Sequence, residues 1–344
     1  MPDPPRRDEP DLAGRDEPPP DADPGERDRQ PRWHPLGRVA LYFLVAVPAL
    51  QLLAAVPAFL FWTLISGRTF GSEMDVPSSG EFLLFLHVFL APATLFATLG
   101  FLRVLDRREL KDIGFRPPSG GFAAMAREKL LALSGTAAVI GLWILLVSLR
   151  TDVAWGGWSK EALAGPSFWP GTAGTVASVI LIAAGFMIQG AVEELAFRGY
   201  IYRNFKDRWS WPNAAAATAL LFALVHASNP NVTPVSILNT FLIGLFLAEL
   251  VEWSGSLWLV SLLHGFWNFL VAAVYSLPVS GVRIFRLLDV SIPGPSWLTG
   301  GDYGPEGSLV LMALLIPLAF GTAYFLDRMK RSTTAKGELS PWNP

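Results

Sequence analysis

The sequence predicts an all-α fold, a polytopic transmembrane bundle of about eight helices. One observation is the composition: 51% of the 344 residues are apolar, 16% are charged and the mean hydropathy is +0.38, values outside the range of soluble chains. The other is the recurrence of apolar windows of about 20 residues, the length that crosses a hydrocarbon core of roughly 30 Å. The windows are residues 39–65, 82–102, 130–149, 173–205, 213–228, 234–252, 256–277 and 308–326.

The ends of the chain differ from these windows. Residues 1–37 combine mixed charge with many prolines and contain almost no large aliphatic side chains. Such a segment cannot bury enough apolar surface to offset the entropy lost on ordering. We therefore expect a disordered cytoplasmic tail over 1–37, a transmembrane domain over 38–330 and a second cytoplasmic tail over 331–344.

The distribution of Lys and Arg predicts the orientation. The connection 103–129 contains seven of these residues, whereas the connection 66–81 contains only Arg68. Because short cytoplasmic loops are enriched in Lys and Arg, we expect both termini to be cytoplasmic, and an even number of spans agrees with this placement. The protein is then an integral multi-pass membrane protein, located in the plasma membrane if the source is prokaryotic.

Charge and cysteine content exclude several classes of function. A formal net charge of -2 leaves no overall basic surface for nucleic acid, so nucleic-acid binding is not expected. The chain has no cysteine, which excludes disulfides, thiolate metal sites and a cysteine nucleophile. Any catalytic chemistry must therefore use oxygen and imidazole groups.

Two windows are imperfect, and the first of them carries charge. Window 173–205 contains Glu193, Glu194 and Arg198, although a charged side chain at membrane depth costs about 2.5–3.5 kcal/mol on insertion scales. Glu194 and Arg198 are four residues apart on one helix face and can form an ion pair. Glu193 points about 100° away from Glu194 and is left available for another role.

The second imperfect window, 213–228, is short and contains His226. The turn at 209–212 lies equally far along the chain from Glu193 and from His226, so the two side chains should lie level in a helical hairpin. His264 and Asn268 are four residues apart in a later window, at a similar estimated depth. Polar groups from three helices therefore converge on one level of the membrane.

These residues form three motifs, EExxxR (Glu193, Glu194, Arg198), FxxxH (Phe222, His226) and HxxxN (His264, Asn268). In this order, each on its own helix, they resemble the CPBP family, which comprises the type II CAAX prenyl endopeptidases, the bacteriocin-processing and immunity proteins and related membrane proteins. The resemblance covers about residues 172–277.

The resemblance implies an intramembrane endopeptidase with a catalytic cavity within the membrane. Glu193 would act as the general base for a water, His226 would help hold that water, and His264 with Asn268 would stabilise the oxyanion. Glu194 and Arg198 would brace the site. The implied partners are the lipid bilayer and a membrane-associated peptide or protein substrate, for which a prenylated CAAX tail is one candidate.

Three alternatives to this interpretation stay open. Glu193, His226 and His264 could instead hold a zinc ion, with water as its fourth ligand. The HExxH pattern of many zinc proteases is missing, so the expectation is that no cofactor is required and that zinc is the alternative. The protein could also be a non-catalytic immunity protein or membrane scaffold. A proton-coupled transporter that relays protons through Glu193 and the histidines is the remaining possibility.

Some polar residues match no motif and are interpreted as structural. His34 and His87 fall in this group. Glu249 and Glu252 lie at the cytoplasmic end of their window, where we expect them to be solvated. The long Pro- and Gly-rich connection 278–307 belongs to the outer side, and its sequence does not decide whether it covers the bundle.

Overall fold

A computed structural model describes residues 33–66, 80–115, 121–159, 172–284 and 286–335. Eight helices form the bundle and confirm the all-α transmembrane fold. They are α1 (35–66), α2 (80–106), α3 (Gly121–Ser148), α4 (172–206), α5 (Trp211–His226), α6 (Pro234–Ser254), α7 (257–274) and α8 (Leu309–Ala335). Four of them contain a π-helical segment, at Tyr42–Ala46, Leu102–Asp106, Leu195–Ile201 and Leu270–Val274.

Seven of these described helices are long and apolar enough to cross a membrane. The exception is α5, which has 16 residues and is about 24 Å long at 1.5 Å per residue. The predicted windows therefore correspond one to one to observed helices, but α5 falls short of the length of a complete span.

Several predicted boundaries need correction. Helix α1 begins at Pro35, inside the tail expected over 1–37, because proline is well suited to a first helical position. Helix α3 begins at Gly121, so the last residues of the expected loop 103–129 are helical. Helix α8 continues to Ala335, into the expected C-terminal tail 331–344. Most of the two expected tails, residues 1–32 and 336–344, lies outside the described residues.

One end of the bundle, here called the basic end, is closed by ion pairs. It consists of the start of α1, the α2–α3 and α4–α5 connections, the α6–α7 turn and the end of α8. Arg38 pairs with Asp106 and with Asp207, which also accepts two hydrogen bonds from Arg108 at 3.0 and 2.6 Å. These contacts join α1, α2 and the α4–α5 turn.

Glu252 forms a second cluster at the basic end. Its carboxylate accepts hydrogen bonds from Tyr202 at 2.6 Å, from Lys206 at 2.7 Å and from Lys330. The expectation that Glu249 and Glu252 are solvated is wrong, since both side chains are buried. Packing of α6 between α4 and α8 places Glu252 against basic side chains, so an ion cluster takes the place of water.

The opposite end, here called the far end, contains the only strands among the described residues. Strand β1 (Ala154–Trp158) pairs antiparallel with β2 (Leu288–Ser291). The sequence analysis predicted neither strand. The connection 278–307 folds back onto the bundle, where the buried Glu306 accepts hydrogen bonds from Trp267 at 2.8 Å and from the backbone N–H of Ser280 at 2.6 Å.

Helices α4 and α7 pack closely at two glycines. A Cβ atom added to Gly190 would lie 2.8 Å from the backbone nitrogen of Gly265, and one added to Gly265 would lie 2.7 Å from the side chain of Met187. Only a residue without a side chain allows this approach. The close packing brings the polar turn of α4 against the histidine of α7.

Candidate active site

Glu193 lies between the two histidines that the sequence analysis paired with it. Its Oε2 atom is 4.0 Å from Nε2 of His226 and 3.9 Å from Nε2 of His264. The predicted convergence of α4, α5 and α7 on one level is therefore observed. All three side chains remain partly exposed, so they line a space that water can enter.

Glu194 orients His264. One carboxylate oxygen, Oε1, accepts a hydrogen bond from Nδ1 of His264 at 2.8 Å and from Nη1 of Arg198 at 2.9 Å. A carboxylate only accepts, so Nδ1 carries the proton and the other ring nitrogen, Nε2, is directed at Glu193. The predicted ion pair between Glu194 and Arg198 is observed. Both side chains are fully buried, so the pair supports His264 from inside the protein.

Arg198 also contacts the helices on either side. Its Nη2 donates to the carbonyl of Gly244 at 3.2 Å, and its guanidinium lies 4.3 Å from the centre of the Phe222 ring. A desolvated cation over an aromatic face gains about 2 kcal/mol. Arg198 therefore holds both Glu194 and Phe222 in place. Glu194 binds His264, and Phe222 binds His226, so Arg198 supports both histidines.

His226 is held by its own helix. Its Nδ1 donates to the carbonyl of Phe222 at 2.8 Å, and the two rings lie with their centres 4.4 Å apart and their planes inclined by 48°. A carbonyl oxygen only accepts, so Nδ1 again carries the proton. Both site histidines therefore present the same atom, Nε2, to the carboxylate of Glu193.

Asn268 reaches Glu193 through a residue that the sequence analysis missed. Its amide donates to Oε1 of Gln189 at 3.4 Å, and the amide of Gln189 donates to Oε1 of Glu193 at 3.2 Å. Gln189 lies one helical turn before Glu193, and this spacing was the available signal. The chain of amides holds one oxygen of Glu193 and leaves the other facing the histidines.

His87, which the sequence analysis interpreted as structural, lies beside this site. It comes from α2, and its Nε2 lies 4.0 Å from Oε1 of Glu193. The signal for a role was the cost of placing a titratable group in an apolar window, but no motif connected α2 to the other helices. By contrast, His34 lies exposed at the start of α1, where Nδ1 accepts from the N–H of Leu36 at 3.3 Å.

Two cavities meet at the histidines. The first, here called the polar cleft, has a volume of about 290 Å³ and contains Glu193 and His87. The second, here called the apolar cavity, has a volume of about 160 Å³ and lies between α3, α6, α7 and α8. The residues shared by both are His226, His264, Asn268 and Ser280.

The donor atoms around Glu193 are spaced more widely than the ligands of a tetrahedral zinc ion. Zinc ligands about 2.0–2.1 Å from the metal lie roughly 3.4 Å from one another, whereas the Nε2 atoms of His226 and His264 are 4.0 and 3.9 Å from Glu193. Among the described residues, no group of three His, Cys, Asp or Glu side chains has the arrangement of a metal site. The spacing suits a water molecule that hydrogen-bonds to Glu193 and to an imidazole.

Comparison with known families supports the interpretation of this region. Residues 175–270 match a family model described as type II CAAX prenyl endopeptidase, Rce1-like. This segment is a CPBP-family domain. The CPBP domain contains the predicted site residues from Glu193 to Asn268, together with Gln189, whereas His87 lies outside it. No curated protein matches the chain.

Proposed function

We propose that this integral membrane protein is an endopeptidase that hydrolyses a peptide bond within the membrane with a water activated by Glu193. The observation that carries the proposal is the position of Oε2 of Glu193, which faces Nε2 of His226 and His264 inside a cleft. Peptide hydrolysis needs a base for water and donors where negative charge develops on the carbonyl oxygen. The match to a family of endopeptidases supports the same reaction.

In the proposed reaction, Glu193 removes a proton from a water that His226 helps to hold. The water oxygen bonds to the carbonyl carbon, and the carbonyl oxygen becomes an oxyanion beside Asn268 and beside His264, which in its imidazolium form donates from Nε2. The C–N bond then breaks, and the departing amine takes the proton from Glu193. The carboxylate is regenerated, and the products are a new carboxyl terminus and a new amino terminus.

The other residues position these groups. Glu194 and Arg198 fix the ring of His264, while Gln189 holds the Oε1 atom of Glu193. Nε2 of His87 lies 4.0 Å from Oε1 of Glu193, a distance that a single water molecule can bridge. His87 therefore acts by positioning Glu193. We therefore assign positioning roles to these four residues.

The substrate is proposed to be a membrane-associated peptide or protein. The apolar cavity adjoins His226, His264 and Asn268 and could accept an apolar group near the scissile bond. A prenyl chain, as in the description of the matched family, and the side chains of an apolar peptide are both compatible with such a lining.

The proposal can be tested by comparing C-terminal peptides in membranes that contain the wild type, Glu193→Gln or His226→Ala. We expect products that are present only with the wild type, at equal protein levels. Glu249→Gln is the matched control, because it makes the same substitution at a buried glutamate of the bundle that lies outside the site. Peptide profiles that are identical in all four samples would instead support an immunity protein or a scaffold.

A further inference from the structure

The two ends of the bundle differ strongly in basic residues. Among the described residues, thirteen Lys and Arg lie at the basic end and three at the far end, a ratio that favours a cytoplasmic position for the basic end. The thirteen are Arg38, Arg103, Arg107, Arg108, Lys111, Arg127, Lys129, Arg203, Lys206, Arg208, Arg328, Lys330 and Arg331. The three are Arg150, Arg283 and Arg286.

The half of the bundle between the site and the basic end is filled. Tyr42 and Tyr200 are fully buried there, with ring centres 4.3 Å apart, and Tyr42 is hydrogen-bonded to Thr98 at 3.0 Å. The polar cleft ends above them, at the buried side chains of Phe197 and Ile201. Below the tyrosines lie the ion pairs of Arg38 and Asp207.

The polar cleft continues instead toward the far end. Its lining there includes Asn229 from the α5–α6 connection and Val282 and Ile284 from the segment after α7, all of them partly exposed. His226 is the last residue of α5 and lies beside this opening. Among the described residues, the cleft therefore extends to the far end, from which water can approach Glu193.

We infer that the active-site cleft opens to the non-cytoplasmic side of the membrane, and that its substrate is a membrane-anchored polypeptide with the scissile bond on that side. The side of access follows from packing and charge alone. The substrate class additionally rests on the proposed endopeptidase function. A peptide tail held at the cytoplasmic leaflet would meet the filled half of the bundle.

The natural absence of cysteine makes this inference directly testable by labelling. Ser210→Cys and Ser228→Cys form a matched pair, because both serines are exposed and flank the two ends of α5. Glu193→Cys places a thiol inside the site, and His226→Cys is a second internal probe should the first variant fold poorly. Each variant is treated with a small, charged, membrane-impermeant thiosulfonate in intact cells and in inside-out vesicles.

We expect Ser228→Cys, Glu193→Cys and His226→Cys to be modified in intact cells, and Ser210→Cys only in inside-out vesicles. Modification of Ser210→Cys in intact cells would reverse the orientation and overturn the inference. Internal thiols that react only from the vesicle side, from both sides or from neither would also overturn it.

The substrate class has its own readout in the peptide comparison between wild type and Glu193→Gln. We expect the wild-type-specific cleavage sites to fall in segments that their parent proteins expose on the non-cytoplasmic side. Cleavage in cytoplasmic tails would overturn the assigned class. A correct labelling pattern without any cleavage would refute the endopeptidase function and leave the side of access standing.

Discussion

Nδ1 of His264 lies 2.8 Å from Oε1 of Glu194, and the same carboxylate oxygen binds Arg198. The two adjacent glutamates of α4 therefore differ in their surroundings. The carboxylate of Glu194 is paired with Arg198 and His264, whereas that of Glu193 faces the cleft. The π-helical segment that begins at Leu195 follows directly after them, as π-bulges often do at functional sites.

The Glu194–Arg198 pair predicts two separable effects. Removing one partner of a buried pair leaves an uncompensated charge, at a cost of about 3–5 kcal/mol. We expect Glu194→Gln to lose both thermal stability in detergent and activity. Adding Arg198→Met should restore much of the stability but not the activity, because His264 still lacks its carboxylate partner. Recovery of full activity in the double variant would show that Glu194 only balances Arg198.

The position of His87 beside Glu193 predicts that this residue affects the reaction rate, although it lies outside the CPBP domain. If it positions Glu193, His87→Gln should lower kcat roughly 10- to 100-fold with little change in KM, since small misplacements of a reacting group have effects of this size. The acid limb of the pH–rate profile should also move. His34→Gln, at an exposed histidine, is the control. An unchanged kcat and pH profile in His87→Gln would exclude a positioning role.

The glycine contact between α4 and α7 predicts a packing effect. Gly190→Ala places a Cβ atom 2.8 Å from the backbone of Gly265, and overpacking of this kind costs about 1–3 kcal/mol. We expect a lower Tm and reduced activity, because Glu193 and His264 move apart. Gly141→Ala in α3 is the matched control, since nothing lies within 4 Å of the added atom. Equal behaviour of the two variants would contradict the importance of this crossing.

The spacing of donor atoms around Glu193 predicts metal-independent activity. We expect elemental analysis of active, purified protein to show no stoichiometric zinc, and chelators to leave the rate unchanged. Stoichiometric zinc whose removal abolishes activity, and whose return restores it, would refute the water-based arrangement and favour a site made by Glu193, His226 and His264.

The hydrogen bonds of Glu306 predict that this residue stabilises the far end. It accepts hydrogen bonds from the backbone and side chain of Ser280 and from Trp267. Glu306→Ala leaves these partly buried donors without a protein partner, and each unsatisfied group costs up to about 1–3 kcal/mol. We expect faster proteolysis within 278–307 in limited digestion. Digestion at the wild-type rate would show that other contacts hold this connection.

The sequence was sufficient for features that repeat within one helix. Each helix was located by its apolar window, and the meeting of Glu193 with His226 followed from equal distances to one turn. The Glu194–Arg198 pair followed from helical periodicity.

Features that depend on how helices rotate and pack against one another were not predictable. His87 and Glu193 are 106 residues apart in the chain and belong to different helices, so no spacing rule connects them. The Glu252 cluster and the pairing of β1 with β2 likewise join distant segments. The amide of Asn268 binds Gln189, a contact set by the crossing of α4 and α7.

The shortness of α5 has a consequence for the surrounding lipid. A helix of about 24 Å cannot match a hydrocarbon core of roughly 30 Å, and such hydrophobic mismatch is relieved by local thinning of the bilayer. The thinned region would lie beside His226, the residue at which α5 ends. Headgroups and water would then come closest to His226, beside the carboxylate for which we propose a reaction that uses water.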